Sequence, residues 1–147
     1  MEWTQGEFII TTDKERIDIA YVHAFLSQSY WAKGIPIKTV ELSIKGALCF
    51  SIHCNERQVG FARVVTDEAT FAYLADVFID EAYRGRELSK WLMERIVNYP
   101  SLQGLRRFML ATRDAHGLYS QYGFAPLTFA DRWMQIHKPD VYLSNNS

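Results

Sequence analysis

The stretch Ala75-Asp76-Val77-Phe78-Ile79-Asp80-Glu81-Ala82-Tyr83-Arg84-Gly85-Arg86-Glu87-Leu88-Ser89 runs an apolar, strand-like segment through a tight turn into the start of a helical pattern. A helix that begins this way leaves its first backbone N–H groups unpaired and aimed at one spot. Gly85 lets a ligand approach the backbone closely, and Arg84 and Arg86 flank it, so a pyrophosphate would satisfy those donors. An ordinary strand-to-helix turn with solvated arginines fits the same pattern, and spacing alone leaves both readings open.

Downstream of this stretch, Leu88, Trp91, Leu92 and Ile96 recur at helical spacing, and Pro100 marks the end of that helix region. Leu105 to Thr112 reads as a buried strand. Ala115 to Tyr122 reads as a short helix with Ala115, Leu118, Tyr119 and Tyr122 on one side, and Arg132 to His137 as a last strand. Ser144 to Ser147 is an expected disordered tail.

Upstream, Leu48 to Cys54, Val59 to Thr66 and Thr70 to Ile79 form a three-strand meander with polar turns at Asn55 to Gln58 and Asp67 to Ala69. Glu7 to Thr12 is the expected first strand, ending at the helix-capping Asp13. Ile17, Ala20, Tyr21, Ala24 and Phe25 then predict an amphipathic helix, Trp31 to Pro36 a loop, and Val40, Ile44, Ala47 and Leu48 a second, shorter helix. Hairpin-connected strands followed by strand-helix-strand units require a mixed sheet with helices on its faces. The class is therefore α/β or α+β, in one domain spanning 1–147.

Composition narrows the function. With 147 residues, 48% of them hydrophobic, the chain suffices for one core, and 14% aromatic content leaves rings for a pocket. A net charge of −1 without a basic run disfavours nucleic acid as a partner. The start lacks a basic segment followed by an apolar one, and no apolar run reaches the roughly 18 residues of a membrane span. A soluble, cytoplasmic protein is expected. Cys49 and Cys54 sit five apart in a strand and point to opposite faces, and the four histidines lack metal-type spacing, so neither a disulfide nor a metal site is expected.

Two segments carry a family resemblance. Arg84 to Ser89 resembles the acyl-CoA-binding motif of the GNAT superfamily of N-acetyltransferases, (Gln/Arg)-x-x-Gly-x-(Gly/Ala), with Glu87 in place of the first glycine and Ser89 as the final small residue. Ala115 to Phe124 resembles that family's Ala-x-x-x-Tyr-x-x-x-Gly-Phe helix, and Thr112 stands where the family often has Asn. The resemblance runs over nearly the whole chain. It implies a twisted, mostly antiparallel sheet of six to seven strands with about four flanking helices. It also implies acetyl-CoA as co-substrate, no metal, and transfer of an acetyl group to the primary amine of a small molecule by direct attack on the thioester. The chain would act as a monomer or homodimer.

The same resemblance implies roles. Tyr119 matches the family's general acid, against the alternative of a core tyrosine. Val77, Phe78 and Ile79 would pair their backbone with the pantetheine arm, and Arg84, Gly85, Arg86, Glu87, Leu88 and Ser89 would hold the pyrophosphate. Thr112 would donate a hydroxyl hydrogen bond to the pantetheine. Asp76, in a context similar to that of diamine acetyltransferases, would orient or deprotonate a cationic amine, or else pair with Arg63 or Arg113. Tyr30, Trp31 and Trp133 would line the acceptor site, with Phe71 and Tyr73 competing for that role. His116 is a possible base or a plain surface residue. An acyl-CoA-binding sensor or interaction module without catalysis, and a protein amino-group acetyltransferase, are the alternatives to the small-molecule enzyme.

Overall fold

In the two central strands Cys49 to Cys54 and Gln58 to Ala62 are buried without a break, whichever way each side chain points, and this requires cover on both faces of the sheet. The computed structural model, which describes residues 1–143, supplies it. Six strands lie side by side in chain order: β1 (Glu2–Gln5), β2 (Phe8–Thr11), β3 (Leu48–Cys54), β4 (Arg57–Thr66), β5 (Phe71–Ile79) and β6 (Arg107–Leu110). All neighbours are antiparallel except β5 and β6, which run parallel because α3 (Leu88–Val97) makes the crossover between them. The expected mixed, mostly antiparallel sheet is the one observed.

One face packs Phe50, Ile52, Val64 and Leu74 against Leu88, Trp91, Leu92 and Ile96 of α3. The other packs Cys49, Phe61 and Phe78 against Val22 and Leu26 of α1 (Ile19–Leu26) and Val40 and Ile44 of α2 (Ile37–Lys45). Cys49 and Cys54 fall into different cores and remain free thiols. Burial pushes the Cys49 thiol up to about 11, so it stays protonated and inert. A last short helix, α4 (His116–Ser120), follows β6.

Four expectations need correction. The buried strand expected from Leu105 to Thr112 is only Arg107–Leu110 and half-buried, because it lies at the edge of the sheet. Strand β1 was not anticipated: only Trp3 of its four residues is apolar and large, yet Gly6, at φ 60, turns it back onto β2, and Trp3 stacks on Phe50. The buried face of α1 is Val22 and Leu26 with Phe25 beside them, while Ala20 and Ala24 face water. The bulkier residues bury more apolar area than the alanines could. Finally, Arg132 to His137 is not a strand. Phe129 sits at φ 59, a single helical turn spans Ala130–Arg132, and the chain then runs off the sheet with Met134 96% and Ile136 91% exposed. Alternation alone does not make a strand: among the described residues no part of this segment pairs with the free edge of β6. Ser144 to Ser147, the expected disordered tail, lies outside the described residues.

Candidate active site

The site begins where two strands part. Strand β5 pairs with β6 only from Phe71 to Leu74, whereas its pairing with β4 continues to Ile79. On the β6 side, Ala75 to Ile79 therefore present an open edge of backbone donors and acceptors. Opposite this edge the β4–β5 register slips. Arg63 faces Ala75 and Phe61 faces Phe78, so Asp76 and Val77 share the single partner Ala62. Asp76 takes φ 55 at this bulge, a conformation that disfavours most side chains but that Asp tolerates.

The bulge fixes what Asp76 can reach. Its Oδ2 accepts from Arg63 Nε at 2.8 Å, and its Oδ1 accepts from the indole Nε1–H of Trp31, also at 2.8 Å. With the Asp76 side chain only 8% exposed, both oxygens are engaged inside the wall of the site. Trp31 belongs to the loop between α1 and α2, so one carboxylate ties that loop to the sheet. Behind it Phe25 stacks on Phe78 with ring centroids 3.8 Å apart, which stiffens the same wall.

Tyr30 meets Trp31 edge-on, and the Arg113 guanidinium lies 3.8 Å over the Tyr30 ring. One face of Tyr30 is thus taken by a side chain of the protein. Arg113 follows Thr112 at the exit of β6. The Thr112 Oγ1 accepts from Ala115 N–H at 3.0 Å and so shapes the entry into α4, keeping its own hydroxyl proton free to donate. From α4, Tyr119 projects half-buried beside Phe124. Its hydroxyl has no hydrogen-bond partner among the described residues, and burial, then the Tyr30 phenol, raises its pKa above the usual 10.0.

A cavity of about 690 Å³ brings together Tyr30, Trp31, Asp76, Val77, Thr112 and Tyr119. Phe78 and Ile79 do not line it, since their side chains belong to the two cores and the cavity reaches along β5 only as far as Val77. Trp133 lies elsewhere, with Arg107 stacked 4.8 Å over its ring. Tyr142 also lines the cavity. No motif announced it: it arrives from a turn near the end of the chain, and only its packing against the α1–α2 core brings it in.

The turn into α3 lies outside this cavity. Arg84 Nε donates to the Ile79 carbonyl at 3.2 Å, Gly85 takes φ 81 and Glu87 takes φ 63. The first backbone bond of the helix runs from Trp91 N–H to the Glu87 carbonyl. Among the described residues no acceptor faces the amides of Gly85 to Ser89, which leaves a cluster of donors at the helix start. The Glu87 side chain points outward to Lys90, 3.2 Å away, and so keeps its charge off that cluster. Arg86 leans over Tyr83 and reaches Glu7 at 3.8 Å. Among the described residues no group of three or more His, Cys, Asp or Glu side chains could hold a metal ion. Among the described residues no helix is long and apolar enough to cross a membrane.

Comparison with known proteins gives a consistent picture. A family model described as an acetyltransferase (GNAT) domain matches residues 45–126. A Gibberella zeae protein assigned as an acetyltransferase is 29% identical, over 81% of this chain and 79% of its own length. A crystal structure from Xanthomonas campestris, assigned to the GNAT acetyltransferases, is 48% identical and superposes with a TM-score of 0.91 over 95% of this chain and 99% of that one. A Clostridium acetobutylicum acetyltransferase, assigned by prediction and solved with acetyl-CoA, shares the fold at 15% identity and a TM-score of 0.62, over 95% of this chain and 98% of that one.

Proposed function

This chain belongs to the acetyltransferase (GNAT) family, and from that premise we propose that it transfers the acetyl group of acetyl-CoA to the primary amine of a small molecule in the cytoplasm. The amine lone pair attacks the thioester carbonyl carbon, the carbon–sulfur bond breaks, and the departing thiolate takes up a proton as the amine loses one. Each demand has a residue to meet it. The open edge of Ala75 to Ile79 receives the pantetheine amides as an added strand, and an N–H at the bulge faces the oxygen that becomes negative. The amide cluster of Gly85 to Ser89 holds the pyrophosphate, and Thr112 donates to the pantetheine. A relative of this fold solved with acetyl-CoA supports the choice of co-substrate.

The observation that carries this reading is Tyr119. Its unpartnered hydroxyl shares one cavity with the open strand edge, and its raised pKa keeps the proton in place for the sulfur. Tyr119→Phe lowers kcat by about a hundredfold, a typical general-acid effect, with acetyl-CoA binding retained in calorimetry. Turnover unchanged at saturating substrate sinks the assignment. Glu87, which stands where the family has glycine, favours a second reading, a non-catalytic acyl-CoA sensor. CoA binding without turnover on any free or protein-borne amine selects it.

A further inference from the structure

Two arginines and two aspartates line the acceptor cavity, and only one arginine is paired. Arg63 and Asp76 neutralise one another, and Trp31 occupies the second carboxylate oxygen. That pairing removes the negative charge that would otherwise hold the distal ammonium of a diamine. Asp114 and His137 also line the cavity, yet among the described residues Arg113 forms no ion pair with any carboxylate, Asp114 included. Its stacking on Tyr30 fixes the plane of the guanidinium and leaves the N–H edge free to make two parallel hydrogen bonds. The pyrophosphate seat does not compete for it, because Arg84 to Ser89 contribute nothing to this cavity.

We propose that the acceptor is an amine carrying an anionic oxygen group, carboxylate or phosphate, which Arg113 binds in bidentate fashion from its stacked position on Tyr30. The inference rests on the acetyl-transfer reading and narrows its acceptor. The reacting amine then lies deeper, toward Tyr119, and the anion at the Tyr30 rim. Selectivity comes from a preset arginine: a neutral amine leaves it without an anion, and a polyamine brings a second positive charge toward it.

The test compares primary amines whose far end carries a carboxylate, a phosphate, a methyl group or a second ammonium. Acetylation of γ-aminobutyrate, phosphoethanolamine, n-butylamine and putrescine is measured with the wild type, Arg113→Gln and Arg113→Lys, and calorimetry follows binding of each amine to the CoA-loaded protein. The wild type prefers an anionic acceptor over butylamine by on the order of tenfold in kcat/KM. That ratio collapses in R113Q and is partly kept in R113K. The carboxylate and phosphate arms tell which anion is preferred. A wild type that favours butylamine or putrescine, or a ratio unchanged in R113Q, overturns the proposal. Calorimetry separates the two readings. Arg113-dependent binding without turnover refutes acetyl transfer and keeps the anion site, whereas binding of no anionic amine refutes the anion site whatever the turnover.

Discussion

The turn into α3 and the wall around Asp76 use the chain in opposite ways. At Gly85 to Ser89 the backbone presents the chemistry while side chains point away: Glu87 toward Lys90, Arg86 over Tyr83, Leu88 into the core. At Trp31, Asp76, Arg63, Tyr30 and Arg113 the side chains interlock, each fixed by the next. A turn that works through amides tolerates substitution, provided the new residue can hold the required φ and keep its side chain outside. Around Asp76 the wall tolerates little, because removing Arg63 or Trp31 leaves a buried carboxylate oxygen without its partner.

That contrast can be broken by experiment. The largest effect belongs to the wall: Arg63→Met removes one partner of the Asp76 carboxylate and lowers unfolding stability by about 3 kcal/mol in urea titration, toward the lower end for broken buried pairs because Arg63 retains some solvent contact. A change below about 0.5 kcal/mol, the usual scale of surface substitutions, would mean the wall is not interlocked. Next comes the turn. Glu87→Gly relieves a left-handed conformation at φ 63 and removes a negative charge, so calorimetry should find CoA bound roughly twofold to tenfold more tightly. Weaker binding would show that the Glu87–Lys90 pair, and not the amides alone, shapes the cradle. The smallest effect is a displaced pH limb. An acid must be protonated to act, and the Tyr119 pKa lies above 10.0, so its contribution to kcat is lost only as pH rises through that higher value. A falling limb centred below pH 10 that disappears in Tyr119→Phe would contradict this.

Much of the fold was legible because its signals are local. The meander, the helical face Leu88, Trp91, Leu92 and Ile96, and the turn at Arg84 to Ser89 each declare themselves within about 15 residues, where spacing and backbone punctuation suffice. Strand β1 hid because it is apolar at only one of four positions, and Arg132 to His137 misled because alternation carries no information about whether the chain turns back onto an edge. In the candidate site, the family resemblance singled out Tyr119 and Thr112, and the unusual carboxylate in a strand drew attention to Asp76. It could not show that Arg113 would take one face of Tyr30, nor that Trp31 would spend its indole N–H on Asp76, since these contacts join residues more than 40 positions apart. Tyr142 was invisible for the same reason. Trp133, expected among the acceptor rings, lies beside Arg107 instead.

The outer edge of β6 has a consequence for how the protein behaves in a crowded solution. Nothing pairs with that edge among the described residues, and a free edge is a template on which another chain can build a strand. This template is poor. It is only four residues long, and Arg107 places a guanidinium at its start, held over the Trp133 ring. A charge at the mouth of a short ladder makes edge-to-edge growth unfavourable, so the residue that does no chemistry here keeps the molecules from joining into aggregates.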